Sequence, residues 1–245
     1  MRIVILMGGS SSSFFDAGHK FCKPLIEVGE DMIIEAVVNN LNQIVEPEDK
    51  MIFIIKQEDN EKFHLKNVIK LLVSKSEVVE LKYDTEGAAC SALLAAEFIE
   101  DDEELLIVNG DQIIEYDLKK VRDEFSKKEY DAGVITFDSV HPRWSYVKIN
   151  DTSEVIEVSE KTPISTHATA GFYYFKNGKL FLDGAQTMIL KGASVNGVYF
   201  VCPVFNQLVL KGKKITTFDI SSEKYHSLMS PNLVDSYNKY LEAKK

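Results

Sequence analysis

The amino-acid sequence predicts an α/β protein whose sheet is parallel in its first half and mixed in its second. Three observations lead there. Short apolar runs recur at Arg2 to Met7, Met51 to Ile55, Val78 to Leu81 and Leu105 to Val108, nearly continuous rather than alternating, as strands buried on both faces require. Between them lie stretches with apolar residues at helical spacing. From Ala132 onward the runs shorten into β-type segments divided by turn residues, before helices return.

Arg2 to Met7 is read as the first strand because glycine bounds it directly. Met32 to Leu41 sets Ile33, Ile34, Val37, Val38 and Leu41 on one side, the mark of an amphipathic helix. Met51 to Ile55 is the next strand, with helices expected over Phe63 to Leu72 and Ala88 to Ile99. Strands at Val78 to Leu81 and Leu105 to Val108 complete the alternation, which favours a parallel sheet with helices on both faces. In the second half Ala132 to Phe137, Tyr146 to Ile149, Val155 to Val158 and Ala170 to Phe175 are strand candidates, with Asn150 and Asp151 supplying a turn. Helices are expected over Gly178 to Leu190, Cys202 to Leu210 and Leu233 to Leu241, with a late strand at Ile215 to Ile220. No linker divides the chain, so a single domain over 1–245 is expected, with halves of about 1–125 and 126–245.

The 245 residues are 45% apolar and 27% charged, enough to bury a full core. A net charge of -10 disfavours nucleic acid as a partner. Cys22, Cys90 and Cys202 are scattered and odd in number, which suits free thiols and offers no metal-ligand spacing. The first apolar run is too short to span a bilayer, so no membrane association and a cytoplasmic location are expected.

Chemistry concentrates where predicted strands end. Gly8 and Gly9 follow the first strand, so backbone N–H groups can face a ligand at the carboxyl edge of the sheet, and Ser10 to Ser13 add hydroxyls. The positive charge that phosphate needs must then come from Lys23, stiffened by Pro24. A polar surface loop with a solvated lysine is the alternative. The loop lacks the Lys-Ser or Lys-Thr ending of a P-loop and the spaced glycines of a dinucleotide fingerprint. Leu105 to Asp111 reads LLIVNGD, which places Asp111 past a strand's carboxyl end, where one carboxylate suits Mg2+. A turn aspartate is the alternative there.

With these residues in order, the chain resembles the sugar-phosphate nucleotidyltransferases, the pyrophosphorylase-like enzymes, and most closely their compact cytidylyltransferase-like members. The likeness rests on the opening strand and loop, on Cys22 to Leu25, TEGAACSALLA at Thr85 to Ala95, NGD at Asn109 to Asp111, HPRWSYVKI at His141 to Ile149, SEKTPIS at Ser159 to Ser165, ATAGFYYF at Ala168 to Phe175 and NGVYFVCPVFN at Asn196 to Asn206. It implies a Rossmann-like mixed-sheet fold of the glycosyltransferase-A type. It also implies transfer of a nucleoside monophosphate from a triphosphate, CTP before UTP, to a phosphorylated sugar or other small metabolite for polysaccharide assembly. Lys23, Asp111 and Lys161 would carry the catalysis, with Asp111 holding Mg2+. Gly8, Gly9, Ser10, Ser11, Ser13, Gly87 and Ala88 would bind the nucleotide, and Trp144, Glu160, Thr169 and Gly171 the acceptor. His141 is a further candidate for the acceptor pocket. Homo-oligomerisation is left open.

The chain departs from the family at three places. Ser11 and Ser13 stand where the family carries a glycine and an arginine, and Cys22 where it carries a proline. Ser227 stands near the place of a second metal-binding aspartate, for which Asp219 is the alternative. These departures keep a second expectation in play, a noncatalytic module that binds nucleotide or sugar phosphate.

Overall fold

The computed structural model describes residues 1–244. Its elements begin with β1 (Arg2–Leu6), α1 (Ser12–Asp16), the two-residue strands β2 (Glu27–Val28) and β3 (Asp31–Met32), α2 (Ile33–Leu41), β4 (Lys50–Lys56), α3 (Gln57–Phe63), α4 (Leu65–Leu72), β5 (Glu77–Leu81) and α5 (Ala88–Leu93). There follow β6 (Leu105–Asn109), β7 (Gln112–Ile114), α6 (Leu118–Phe125), β8 (Ala132–Asp138), β9 (Ser145–Ile149), β10 (Val155–Glu160) and β11 (His167–Phe175). The chain closes with α7 (Gly178–Leu190), α8 (Val204–Leu210), β12 (Ile215–Ile220), β13 (Tyr225–Ser227) and α9 (Pro231–Ala243).

Nine strands form the central sheet. β5, β4, β1 and β6 are parallel neighbours, with Leu6 opposite both Ile54 and Asn109. β11 then runs antiparallel to β6 and also pairs with β8 and β9, so the parallel and antiparallel parts meet along it. β12 continues from β8 in parallel, and β10 from β9 in antiparallel. Period-two geometry sends Ile3 and Ile5 of β1 into one core and Val4 into the other. Helices α2, α4, α6 and α9 cover the first face and α5, α7 and α8 the second. This double cover explains the uninterrupted apolar runs and establishes the expected mixed α/β sheet.

The structure corrects several expectations about elements. The helix expected over Phe63 to Leu72 is two helices, broken where His64 adopts a left-handed φ of 55°. The helix expected over Ala88 to Ile99 ends as α5 at Leu93, because the N–H groups of Leu94 and Ala95 donate three residues back to Ser91 and Ala92 and so tighten the turn. Helices α1 and α6 and the short strands β2, β3, β7 and β13 lie where none was expected. In α6 only Leu118, Val121 and Phe125 are buried, and Asp117 caps the helix by accepting from the N–H groups of Lys119 and Lys120. Among the described residues no helix is long and apolar enough to cross a membrane.

Phe125 anchors α6, with its ring 6.5 Å from that of Phe172 and 5.9 Å from that of Tyr174, both on β11. Phe125→Ala should therefore cost ~3–5 kcal/mol of stability, as large-to-small changes at buried aromatic positions do. Urea unfolding reads this directly; a loss under about 1 kcal/mol would mean that the anchor lies elsewhere.

Candidate functional site

A cavity of about 580 Å³ opens at the carboxyl ends of β1, β4 and β6 and extends beneath β10 and β11. Its position follows from the sheet, since the loops that leave parallel strands gather at that edge. Two backbone bonds bring those loops together: the Met7 N–H donates to the Ile54 carbonyl at 2.8 Å, and the Gly110 N–H to the Leu6 carbonyl at 2.9 Å. Gly8, Gly9, Ser10, Lys23, Gly87, Ala88, Asp111, Trp144, Glu160, Lys161, Thr169 and Gly171 all line this one space.

Ser11 and Ser13 do not line the cavity. The Ser11 hydroxyl is buried and accepts the Lys23 backbone N–H at 2.9 Å, so it holds the Lys-Pro turn. Ser13 lies within α1, which Phe14 anchors in the core. Ser10 and Ser12 satisfy each other, hydroxyl to hydroxyl at 3.0 Å. The opening loop thus presents Gly8, Gly9 and Ser10 to a ligand and uses Ser11 for its own architecture. Lys23 is buried, and its ammonium lies 2.6 Å from Oδ2 of Asp111.

Two amide side chains fix the strand that follows Asp111. Gln112 donates through Nε2 to the Gly171 carbonyl at 2.8 Å and accepts the Gly171 N–H through Oε1 at 3.0 Å. Asn40 of α2 brackets Ile114 in the same way, at 2.9 and 3.0 Å. Pairing with β13 sets Ser227 opposite Gln112, and the Leu228 N–H donates to the Asp111 carbonyl at 2.7 Å. The Gln112 clamp sits where β11 shifts register between Thr169 and Tyr173, so Gly171 meets a side chain where a regular strand would meet a neighbour. Gly171 must be glycine, because a Cβ there would lie 2.1 Å from Asn109 Nδ2.

The loop around Gly87 is held from the far half of the chain. The Tyr199 N–H donates to the Glu86 carbonyl at 2.7 Å, and the Ala89 N–H donates to the Tyr199 carbonyl at 3.0 Å. Gly87, at a φ of 127°, would place a Cβ 2.4 Å from that same carbonyl, so both conformation and space demand glycine. Phe200, next in sequence, lies beneath the Lys161 ammonium at 4.9 Å. Lys161 adopts a left-handed φ of 58°, and its N–H donates to the Trp144 carbonyl at 3.0 Å.

Trp144 is both wall and core: it lines the cavity while packing edge-on against Phe137 and Tyr225, at 5.5 and 5.4 Å. His141 lies outside the lining and hydrogen-bonds Arg143 instead. Glu160 is buried and accepts from the Ser145 hydroxyl. Burial pushes its carboxyl above the usual range, with the Ser145 bond and the Lys161 charge acting in the opposite direction. Asp219 is not in the lining; it accepts from the Thr136 hydroxyl and sits 3.4 Å from His167 Nδ1. Ser227, near the place of the family's second metal-binding aspartate, also lines the cavity, as do Lys56, Arg143, Ser145 and Tyr225, which were not expected as site residues. Lys56 carried one available signal, a cation directly after an apolar strand, and Arg143 lies inside the HPRWSY segment.

Gln112→Leu leaves the Gly171 N–H and carbonyl without their partner and should cost roughly 2–5 kcal/mol, since each buried unsatisfied group costs about 1–3. An unfolding midpoint equal to that of the parent would remove Gln112 from the clamp. Glu160→Gln tests the buried carboxyl. Because the folded-state pKa is raised, the penalty of ionisation is absent below the unfolded value and grows as pH rises through the folded one. The substitution should stabilise the fold at about pH 7.5 and give no gain at about pH 4, read by urea unfolding at both values. Equal effects at the two values would count against a desolvated carboxylate.

Comparison with known proteins places this geometry among relatives. The family model described as nucleotidyl transferase matches residues 2–192. The bifunctional protein GlmU of Methanococcus aeolicus is 28% identical over 187 residues, 74% of this chain and 41% of that protein. GlmU of Methanocaldococcus jannaschii is 26% identical over 180 residues, 71% of this chain and 40% of that protein. The chain thus spans less than half the length of these curated relatives. In fold it is similar to the nucleoside-diphosphate-sugar pyrophosphorylase from Vibrio cholerae RC9, with a TM-score of 0.81 at 22% identity, covering 97% of this chain and 99% of that one. It is also similar to the inositol-1-phosphate CTP transferase from T. maritima, with a TM-score of 0.76 at 16% identity, covering 100% and 96%. With most of its length matched by one family model, the chain belongs to the nucleotidyl transferase family.

Proposed function

We propose that the cavity transfers a nucleoside monophosphate from a nucleoside triphosphate, CTP before UTP, to a phosphorylated sugar or other small phosphorylated metabolite, and releases pyrophosphate. The observation that carries this reading is the shared cavity, lined both by the Lys23–Asp111 pair at the strand ends and by Glu160 and Lys161 at the end of β10. A phosphate oxygen of the acceptor attacks the α-phosphorus. A new P–O bond forms, the bond from the α-phosphorus to the bridging oxygen breaks, and pyrophosphate leaves with that electron pair. The acceptor phosphate is already anionic, so placement and charge neutralisation matter more than a general base. Lys23 would neutralise phosphate oxygens, backbone N–H groups of the Gly8–Ser10 turn would cradle them, and Lys161 would grip the acceptor phosphate. Gly87 and Ala88 would leave room for the base. Glu160, Thr169 and Gly171 would orient the acceptor beside Trp144.

The donor set suits Mg2+. Asp111 supplies one carboxylate, and Ser227 and Asn109 add neutral oxygen donors on the same wall. Mg2+ commonly takes one or two carboxylates, with phosphate oxygens and water completing its shell. When bound it would supply positive charge to the triphosphate. The preference for CTP rests on the likeness of the HPRWSY and SEKTPIS segments to compact cytidylyltransferases. Synthesis of an activated precursor for polysaccharide assembly is the role that fits such a product.

A second reading, binding without turnover, draws on Ser13 lying outside the cavity and on Ser227 at the expected place of a carboxylate. The deciding experiment pairs CTP, UTP, ATP and GTP with a panel of phosphosugars and small phosphates, with Mg2+ present, and reads pyrophosphate release. One productive pair is expected, and Asp111→Asn should lower its rate at least ~100-fold, the scale of losing an electrostatic contact made at the transition state. Calorimetric binding with no turnover from any pair would favour the second reading, and an unchanged rate in Asp111→Asn would remove Asp111 from the reaction.

A further inference from the structure

We propose that Lys56 is a second triphosphate-binding cation, entering from β4 to do what a loop arginine would otherwise do, with Asp84 as the carboxylate that phosphate displaces from it. This inference rests on reading the cavity as a nucleoside triphosphate site.

The need for a second cation follows from the loop itself. Ser11 is consumed by the Lys23 backbone, Ser10 and Ser12 bond each other, and Ser13 lies within α1 outside the cavity. Neutral hydroxyls cannot replace a fixed positive charge against a polyphosphate. Lys23 already shares its ammonium with Asp111. The sheet register shows where help can come from. Leu6 lies opposite Ile54, so β4 continues two residues beyond the end of β1, to Lys56, whose β5 partner Leu81 lies against Gly8. Ile54 and Lys56 project on the same side of the strand, and both line the cavity. Lys56 lies opposite Leu81 in the β4–β5 pair and lines the cavity together with Gly8, Gly9, Asp84 and Thr85.

Its present partners suit exchange. The Lys56 side chain is 16% exposed, whereas Asp84, at 2.9 Å, and Glu58, at 3.3 Å, are 81% and 74% exposed. The hydrogen bond that the Lys56 ammonium donates to Asp84 lifts it above the ordinary lysine value, with burial opposing it, so the cation persists at neutral pH. A pair with such solvated carboxylates contributes only about 0–1 kcal/mol. Polyphosphate oxygens carry more charge than these solvent-exposed carboxylates and so would outcompete them for Lys56. Asp84 itself precedes Thr85 and Gly87, which places the displaced group on the segment that leads to the base.

Calorimetry on the full chain with Mg2+ tests this, with CTP, UTP, CMP and inorganic tripolyphosphate as probes. Lys56→Met should weaken binding of tripolyphosphate and of the preferred triphosphate by ~10- to 100-fold, the equivalent of a charge-assisted contact, with CMP changed less than about threefold. Lys56→Arg should restore most of the loss, and Asp84→Asn should tighten tripolyphosphate binding by removing the competitor. Thermal unfolding of each variant separates lost binding from lost fold. Parent-like affinity for tripolyphosphate in Lys56→Met would overturn the proposal. So would an equal loss of CMP, which would place Lys56 in support of the base loop, or weaker binding in Asp84→Asn. A parent protein that binds none of the probes would instead refute the nucleotide reading itself.

Discussion

The contact between Lys23 and Asp111 ties two distant parts of the chain at the point where the sheet opens. Lys23 belongs to the turn after the serine loop and Asp111 to the loop after β6, so their 2.6 Å pairing joins the two segments that follow adjacent parallel strands. The neighbouring bonds hold both partners in place. Ser11 holds the Lys23 backbone, Leu228 holds the Asp111 backbone, and Gln112 and Asn40 keep β7 from drifting. Both charges are largely withdrawn from water, so each depends on the other or on a ligand for compensation. A phosphate with a divalent cation satisfies both demands at once, one group taking the ammonium and the other the carboxylate.

β11 is the other organising element. It pairs with β6 over its carboxyl-terminal half and with β8 along most of its length, and it yields at Gly171, where the Gln112 amide replaces regular pairing. The parallel part of the sheet and its antiparallel part therefore share one strand. Thr169 and Gly171, on the cavity wall, are part of that seam.

Much of this was legible in the chain because double-sided burial leaves a plain mark. β1, β4 and β6 read as strands since both faces are apolar between their ends, and α7 and β12 are found with their expected bounds at Gly178–Leu190 and Ile215–Ile220. Helix α6 was hidden because three buried residues sufficed to dock it, leaving a mostly charged sequence. Strands β7 and β13 were hidden because three residues pair across a separation of more than a hundred, which no local pattern encodes. In the site, the order of Lys23, Gly87, Asp111 and Lys161 in the chain pointed to residues that line one cavity. Ser11 was misplaced because a buried hydroxyl that holds a backbone N–H and an exposed one that awaits phosphate look alike until the partner is known. Lys56 escaped notice because a lysine at a strand end is ordinarily a solvated terminus.

The segment around Tyr199 touches two things at once. Tyr199 holds the backbone of Glu86 and Ala89 on either side of Gly87, while its neighbour Phe200 supports the Lys161 ammonium. The loop around Gly87 and the turn at Lys161 are consequently held by one shared segment. A loop transplanted at 86–89 would arrive without its strap, and a segment exchanged at 199–200 would carry the strap away. Changes at the two places have to be made together.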